Sequence, residues 1–238
     1  MIDIHCHILP NIDDGAANID DTLAMANIAA NCGVRAIIAT PHCNVPNEPP
    51  NYFDSDFRDI FMNVRKTIAE ERIPVKLLSG MEVFVTYDLP DLIKQGKILT
   101  LNQSNYLLTE FDFNEDPDFV EIMVKRLRDM KLTPVIAHPE RYGFIKDNPD
   151  AAKELIEKGC VIQLNKGSFL GRYGSSAQKT AFELLEKGFV DIVSSDAHNP
   201  TIRTPYMTEA WHTLQGLCDT NLLFKVNPYK ICTNTPIR

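Results

Sequence analysis

Basic residues are in the minority: 24 Lys and Arg stand against 32 Asp and Glu, giving a formal net charge of −8 and an isoelectric point near 5.2. A broad nucleic-acid footprint needs a basic face to neutralise phosphates, so no nucleic-acid partner is expected. No apolar run approaches the ~18 residues needed to span a bilayer, which argues against direct membrane insertion. The opening MIDIHCHILPN lacks a basic stretch followed by an apolar one, so no export signal is read and a cytoplasmic location is expected. The six cysteines are scattered with no C-x2-C pair, and reduced thiols follow from that setting. There is no internal repeat and no low-complexity tract.

What is present reads as one α/β domain spanning residues 1–238. At 44% hydrophobic and 24% charged residues, the chain can bury a sizeable core. Apolar runs of strand length fall at 2–5, 35–39, 75–79, 105–109, 133–137, 161–164 and 190–194. Amphipathic stretches near 19–31, 55–71, 117–130, 148–158, 175–187 and 204–217 predict helices between them. Asp20, Asp54, Asn148 and Ser175 are candidate N-caps, and Cys32-Gly33 and Lys158-Gly159 read as helix ends. Seven strands with helical crossovers predict a barrel-like parallel sheet. The last segment, LLFKVNPYKICTNTPIR, reads as a tail packed on the outside.

Five of the six histidines fall at the C-terminal ends of these runs: His5 and His7 in DIHCHILPNIDDG, His42 in ATPHC, His138 in VIAHPER and His198 in VSSDAHN. In parallel α/β folds ligands bind at that end. His5 and His7 are two apart, so a strand points both to one face. Carboxylates accompany them: Asp13 and Asp14, of which Asp14 is the better inward candidate, Glu82 in SGMEVF, Glu110 in LLTEF, and Asp196 two before His198. The nine candidate ligands are therefore His5, His7, Asp14, His42, Glu82, Glu110, His138, Asp196 and His198. Imidazoles mixed with carboxylates suit two or three borderline divalent ions, zinc and iron being compatible with such donors. His212 has no such company and reads as structural.

The ordered motifs DIHCHILPNIDDGA, IATPH, GMEVF, LLTEF, IAHPERY, NKGS-x-x-GRYG and SSDAHN resemble the PHP (polymerase and histidinol phosphatase) family. Within it they resemble the bacterial tyrosine-phosphatase branch associated with capsular and extracellular polysaccharide synthesis. The likeness runs from residue 1 to about 205. It implies a distorted seven-stranded, TIM-like β/α barrel and three metal ions, commonly manganese. His5, His7, Glu82 and Asp196 would hold the first; Glu82 would bridge to a second held with Glu110 and His138. Asp14, His42 and His198 would hold the third. The implied activity is metal-dependent protein-tyrosine-phosphatase hydrolysis, with a metal-activated water or hydroxide as nucleophile. The implied partner is a phosphotyrosine protein, the tyrosine-rich tail of a polysaccharide-assembly kinase.

Arg141 in HPER and Arg203 in HNPTIRTP are the candidates to offset phosphoryl charge, because a guanidinium fork donates twice to one phosphate. Two loops flank the expected pocket, residues 43–54 and 165–174, and Tyr52, Phe53 and Tyr173 could border a phosphotyrosine ring. A general acid is not identifiable, and tyrosinate, with a conjugate acid of pKa ~10, leaves without a strong one. Cys232 to Arg238 spells a C-x5-R match, but its interior has no glycine and no helix N-terminus is read behind the thiol, as a cysteine phosphatase requires. Competing readings are a small-molecule phosphatase of the same family, acting for example on histidinol phosphate, a 3′–5′ exonuclease, disfavoured by charge, and a non-catalytic metal-dependent binding module.

Overall fold

The computed structural model describes residues 1–238. Nine strands run in parallel: β1 (Ile2–Cys6), β2 (Ala36–Ala39), β3 (His42–Cys43), β4 (Lys76–Ser79), β5 (Glu82–Phe84), β6 (Tyr106–Glu110), β7 (Thr133–Ala137), β8 (Val161–Asn165) and β9 (Ile192–Ser194). Each of the seven expected runs forms a strand, and two short strands, β3 and β5, continue β2 and β4 after a break. Pro41 interrupts the first pair, since it brings no N–H to the ladder. Gly80 and Met81 interrupt the second. A Cβ on Gly80 would lie 2.8 Å from Ile38, so only glycine lets the chain pass there.

The breaks divide the strands into a three-stranded sheet, β1-β2-β4, and a six-stranded one, β3-β5-β6-β7-β8-β9. The expected single seven-stranded sheet is therefore not formed. The edges still meet: Asp196 N donates to His5 O (2.9 Å) and His7 N donates to Ala197 O (2.8 Å) beyond the end of β9. The β1–β2 register also slips between Asp3 and Cys6. That bulge lets neighbours Ile4 and His5 both face inward, Ile4 packing with Ile38 and His5 bonding Gln163.

The helices are α1 (Ile19–Asn31), α2 (Ser55–Glu70), α3 (Leu89–Lys94), α4 (Pro117–Asp129), α5 (Gly143–Asp147), α6 (Ala151–Glu157), α7 (Lys166–Phe169), α8 (Ser175–Glu186), α9 (Thr208–Leu214) and α10 (Asn227–Cys232). Asp54 caps α2, its side chain accepting from Phe57 N at 2.9 Å. The cap of α1 is Asn18, which accepts from Asp21 N at 3.0 Å, rather than Asp20. Asn148 ends α5 instead of starting α6, because Pro149 separates the two helices, and Ser175 is the first residue of α8 behind Gly174. Pro205 likewise delays α9 to Thr208.

The C-terminal segment differs from a loose outer tail. After a π-helical turn, Leu222–Val226, α10 inserts Ile231 into an inner apolar cluster with Ile4, Ile38, Leu78, Leu108 and Val135. Tyr106 at the start of β6 donates to Thr235 O (2.9 Å), and Arg238 pairs with Asp191 (2.5 Å). These contacts place the segment at the N-terminal ends of the strands. Cys232 and Arg238 are thereby committed to packing and pairing, and no phosphate-binding loop joins them.

Removing buried aliphatic atoms costs about 2–5 kcal/mol. Ile231→Ala should therefore lower the unfolding free energy by that amount while leaving metal affinity unchanged, measured by urea unfolding alongside metal titration. A change in metal affinity equal to that of a ligand substitution would show that the two ends of the fold are not independent.

Candidate metal centre

The ends of β1, β3, β5, β6, β7 and β9 bring all nine expected ligands to one cleft. Gly15 folds the first loop back over His7, where a Cβ would stand 2.3 Å from the His7 carbonyl oxygen. His138 and Asp196 follow β7 and β9 with positive φ, 35° and 49°. Non-glycine residues in that region are strained, and both conformations turn a ligand inward at the strand end.

His5 donates through Nδ1 to Gln163 Oε1 (2.9 Å) and His7 through Nδ1 to Asp13 Oδ2 (2.7 Å). In the neutral imidazoles this leaves both Nε2 lone pairs facing each other, 3.2 Å apart. Glu82 Oε2 stands 3.1 Å from His5 Nε2 and 3.2 Å from His7 Nε2. Asp196 Oδ1 is 3.5 Å from His5 Nε2. His138 Nε2 lies 3.0 Å from Glu82 Oε1 and 3.5 Å from Glu110 Oε1. Asp14, exposed over most of its side chain, still reaches His198 Nε2 at 3.2 Å and His42 Nε2 at 3.6 Å.

Three donor groups, each with ligand atoms within 4.8 Å of one another, result: His7/Asp14/His42/His198, His5/His7/Asp196 and His42/Glu82/Glu110. His7 and His42 each belong to two groups, so the cluster is more interwoven than three separate ligand sets. Glu82 Oε2, His42 Nδ1 and His198 Nε2 are buried without a hydrogen-bond partner. Buried polar atoms are normally satisfied, and orphaned acceptors converging from several strands fit divalent cations.

The electrostatics agree. Burial, then the charges of Glu82 and Asp196, push Glu110 up to about 9. Burial alone would raise Glu82 too, but His5 and His42 hold it well below the carboxylate range. Burial opposes charge on His7, yet Asp13 and Glu82 raise it well above the imidazole range. His198 is pulled down to about 4 by burial and neighbouring His7. These directions favour the protonated forms of His7 and Glu110 when no cation is bound.

Arg141 reaches the cleft with no ion pair or hydrogen bond on its guanidinium. It is held between two rings, its Cζ 4.2 Å from the Phe113 centroid and 4.8 Å from that of Tyr173. Arg203 is tied to a ligand, Nη2 donating to Asp196 Oδ2 at 2.8 Å, and its Cζ lies 5.9 Å from the Tyr173 centroid. Tyr173 thus stands beside both arginines. Tyr52 bonds Asn44 Oδ1 at 3.2 Å under Lys97. Phe53 packs edge-on against Phe57 and lines an outer groove with Phe61 and Leu78, so it is not brought to the ligands. His212 remains outside the cluster, exposed on α9.

Asp13, ranked behind Asp14 in the sequence, braces the site: besides His7 it accepts from His42 N (2.8 Å). Gln163, Asn165 and Phe113 were not singled out by sequence. The amides on β8 carried a signal, since VIQLN alternates polar residues into a strand buried throughout. Phe113 carried none, because nothing local distinguishes it from a loop aromatic.

A parallel α/β fold with histidines and carboxylates that could hold metal ions clustered at its strand ends defines the class, a metal-dependent hydrolase architecture. The E. coli phosphotriesterase homology protein, solved with phosphate in its active site, shares the fold at a TM-score of 0.60 and 14% identity over 96% of this chain and 97% of that one. The family profile described as capsular polysaccharide synthesis, CpsB/CapC, matches residues 1–232, and the chain belongs to that family. The tyrosine-protein phosphatase YwqE of Bacillus subtilis is 35% identical over 100% of this chain and 91% of its own length. The tyrosine-protein phosphatase CpsB of Streptococcus pneumoniae is 32% identical over 97% and 98%. A crystal structure from work on both proteins, described as unique metal-dependent tyrosine phosphatases, superposes with a TM-score of 0.91 at 34% identity, covering 99% of this chain and 95% of that one.

Ligation requires the Glu110 carboxylate and neutral His7, so cations must displace the retained protons. Both groups have raised pKa values, and the displacement becomes easier as pH rises. Metal affinity should therefore climb with pH toward about 9, with proton release seen by calorimetry in buffers of differing ionisation enthalpy. Affinity independent of pH between about 6 and 8 would contradict this balance.

Proposed function

We propose that the protein is a metal-dependent phosphatase of phosphotyrosine in proteins, acting in capsular or extracellular polysaccharide synthesis. The observation that carries this reading is an unpaired, aromatic-clamped arginine beside a cleft on which nine candidate ligands converge. The relatives' named activity narrows the substrate to phosphotyrosine. Two or three divalent ions fit the donor set, with manganese the first choice. The nine-ligand set is proposed as His5, His7, Glu82 and Asp196 about one ion, Glu82, Glu110 and His138 about another, and Asp14, His42 and His198 about the third. When bound, the ions supply Lewis-acid stabilisation of phosphoryl charge and lower the pKa of water.

The chain's own residues do the remaining work. Arg141 donates its guanidinium fork to the phosphoryl oxygens, kept free of competing carboxylates by Phe113 and Tyr173. Arg203 neutralises the outer oxygen of Asp196 and offers its remaining N–H groups to phosphate. Asp13 fixes the ring of His7 and the backbone of His42. Tyr173 flanks the aryl leaving group, which departs as tyrosinate with a conjugate acid of pKa ~10; Tyr52 belongs at the outer margin of this surface. We read residues 1–238 as one domain whose two sheets form a distorted barrel, supported by the contacts between the ends of β1 and β9. The substrate is a phosphorylated, tyrosine-rich tail of a polysaccharide-assembly kinase, met in the cytoplasm. No helix is long and apolar enough to cross a membrane.

The test compares phosphate release from a phosphotyrosine peptide, a phosphoserine peptide and histidinol phosphate after chelation and resupply of manganese, zinc or magnesium. Metal-restored turnover favouring phosphotyrosine is expected. Preference for histidinol phosphate would move the substrate to a small phosphomonoester, and no turnover with any metal would leave a binding module. Arg141→Ala should lower kcat for phosphotyrosine about 100- to 1000-fold, the usual loss for one donor to developing charge, with manganese affinity unchanged.

A further inference from the structure

Two buried amides form part of the cleft's supporting wall. Gln163 and Asn165 stand two apart on β8 and are fully inaccessible to solvent, so both project from the same face. Asn165 Nδ2 donates to Asp196 Oδ2 (2.5 Å). This turns Asn165 Oδ1 toward Gln163, whose Nε2 donates to it at 3.0 Å. Gln163 Oε1 is then left to face His5 and accepts from Nδ1 at 2.9 Å. Donors and acceptors run in one direction, from His5 through both amides to an ionised carboxylate that can only accept.

The direction matters because both ends of this chain belong to one donor group, His5/His7/Asp196. Reversed, Gln163 would point its NH2 at His5, drive the imidazole proton onto Nε2, and aim that proton at His7 and Glu82. A cation could not then approach. We propose that Gln163 and Asn165 are positioning residues, forming a hydrogen-bond relay through which Asp196 holds His5 in the tautomer that offers Nε2 to a metal ion. The inference rests on the cleft holding divalent cations. It differs from simple satisfaction of two buried amides in linking one ligand's protonation pattern to another ligand's charge.

The test combines 15N NMR of the His5 imidazole in chelated wild-type protein, recorded at a pH high enough to leave the ring neutral, with manganese titrations of wild type, Gln163→Met and Gln163→Glu. Protonated glutamic acid, the isostere of glutamine, preserves both the acceptor for His5 Nδ1–H and a donor to Asn165 Oδ1, whereas methionine fills similar space with neither. The relay predicts a proton on Nδ1 in wild type, about 10- to 100-fold weaker manganese binding in Q163M, and recovery of most of that loss in Q163E. Wild-type affinity in Q163M, or Q163E as weak as Q163M, would overturn it. If Q163M does not fold, the wild-type spectrum decides: a proton on Nε2 refutes the relay and a proton on Nδ1 with Q163E binding retained supports it. Wild type that binds no manganese overturns both the relay and the cation reading. Normal metal binding with no phosphotyrosine turnover leaves the relay intact and removes only the substrate assignment.

Discussion

Two carboxylate oxygens held within 4.8 Å of each other, as those of Glu82 and Glu110 are, repel by about 3–4 kcal/mol at an effective dielectric of 20. Asp196 and Asp14 add to the same cleft, and the Nε2 atoms of His5 and His7 converge on it. A fold stable by only about 5–15 kcal/mol does not accumulate such repulsion unless a counter-charge relieves it. Protons can supply part, as the raised values at His7 and Glu110 show. Divalent cations would supply more, and would also use the acceptors that protons leave orphaned. The need for positive charge at the strand ends is the constraint on which the site's other features depend.

The fold delivers the candidate ligands by departing from regular geometry. A bulge in β1 turns Ile4 and His5 inward together. Breaks at Pro41 and Gly80 precede His42 and Glu82, and strained backbone at His138 and Asp196 aims two more ligands. Each irregularity costs hydrogen bonds or conformational energy locally, and each lies at the cleft. The opposite ends of the strands follow ordinary rules, with an apolar interior closed by Ile231 and the C-terminal segment. Stability and chemistry thus occupy opposite ends of the same strands, the division expected of parallel α/β folds.

Much of this was legible in the sequence because it has local signatures. Apolar runs of four or five residues marked the strands, and histidines at their ends marked the cleft. The breaks were only half legible: Pro41 brings no N–H to the ladder, but only packing against Ile38 and Leu101 shows why the chain must yield at Gly80. Asn18 and Asp20 both precede helical periodicity, and the hydrogen bond to Asp21 N alone separates cap from first turn. The C-terminal segment is apolar enough to be either surface tail or plug, a choice made by the shape of the interior it fills. Phe53 and Tyr173 looked equivalent as loop aromatics, yet the first is drawn to α2 and the second to two arginines. Asp13 was underrated since spacing cannot distinguish a ligand from the residue that orients one.

Anomalous diffraction from crystals of the protein grown with manganese tests the central claim most directly. Two or three peaks at the manganese edge are predicted, each within bonding distance of the convergent atoms of His5, His7, Glu82 and Asp196 or of the adjoining Glu110/His138 and Asp14/His42/His198 sets. A cleft without peaks, with protonated histidines paired to the carboxylates instead, would contradict the account.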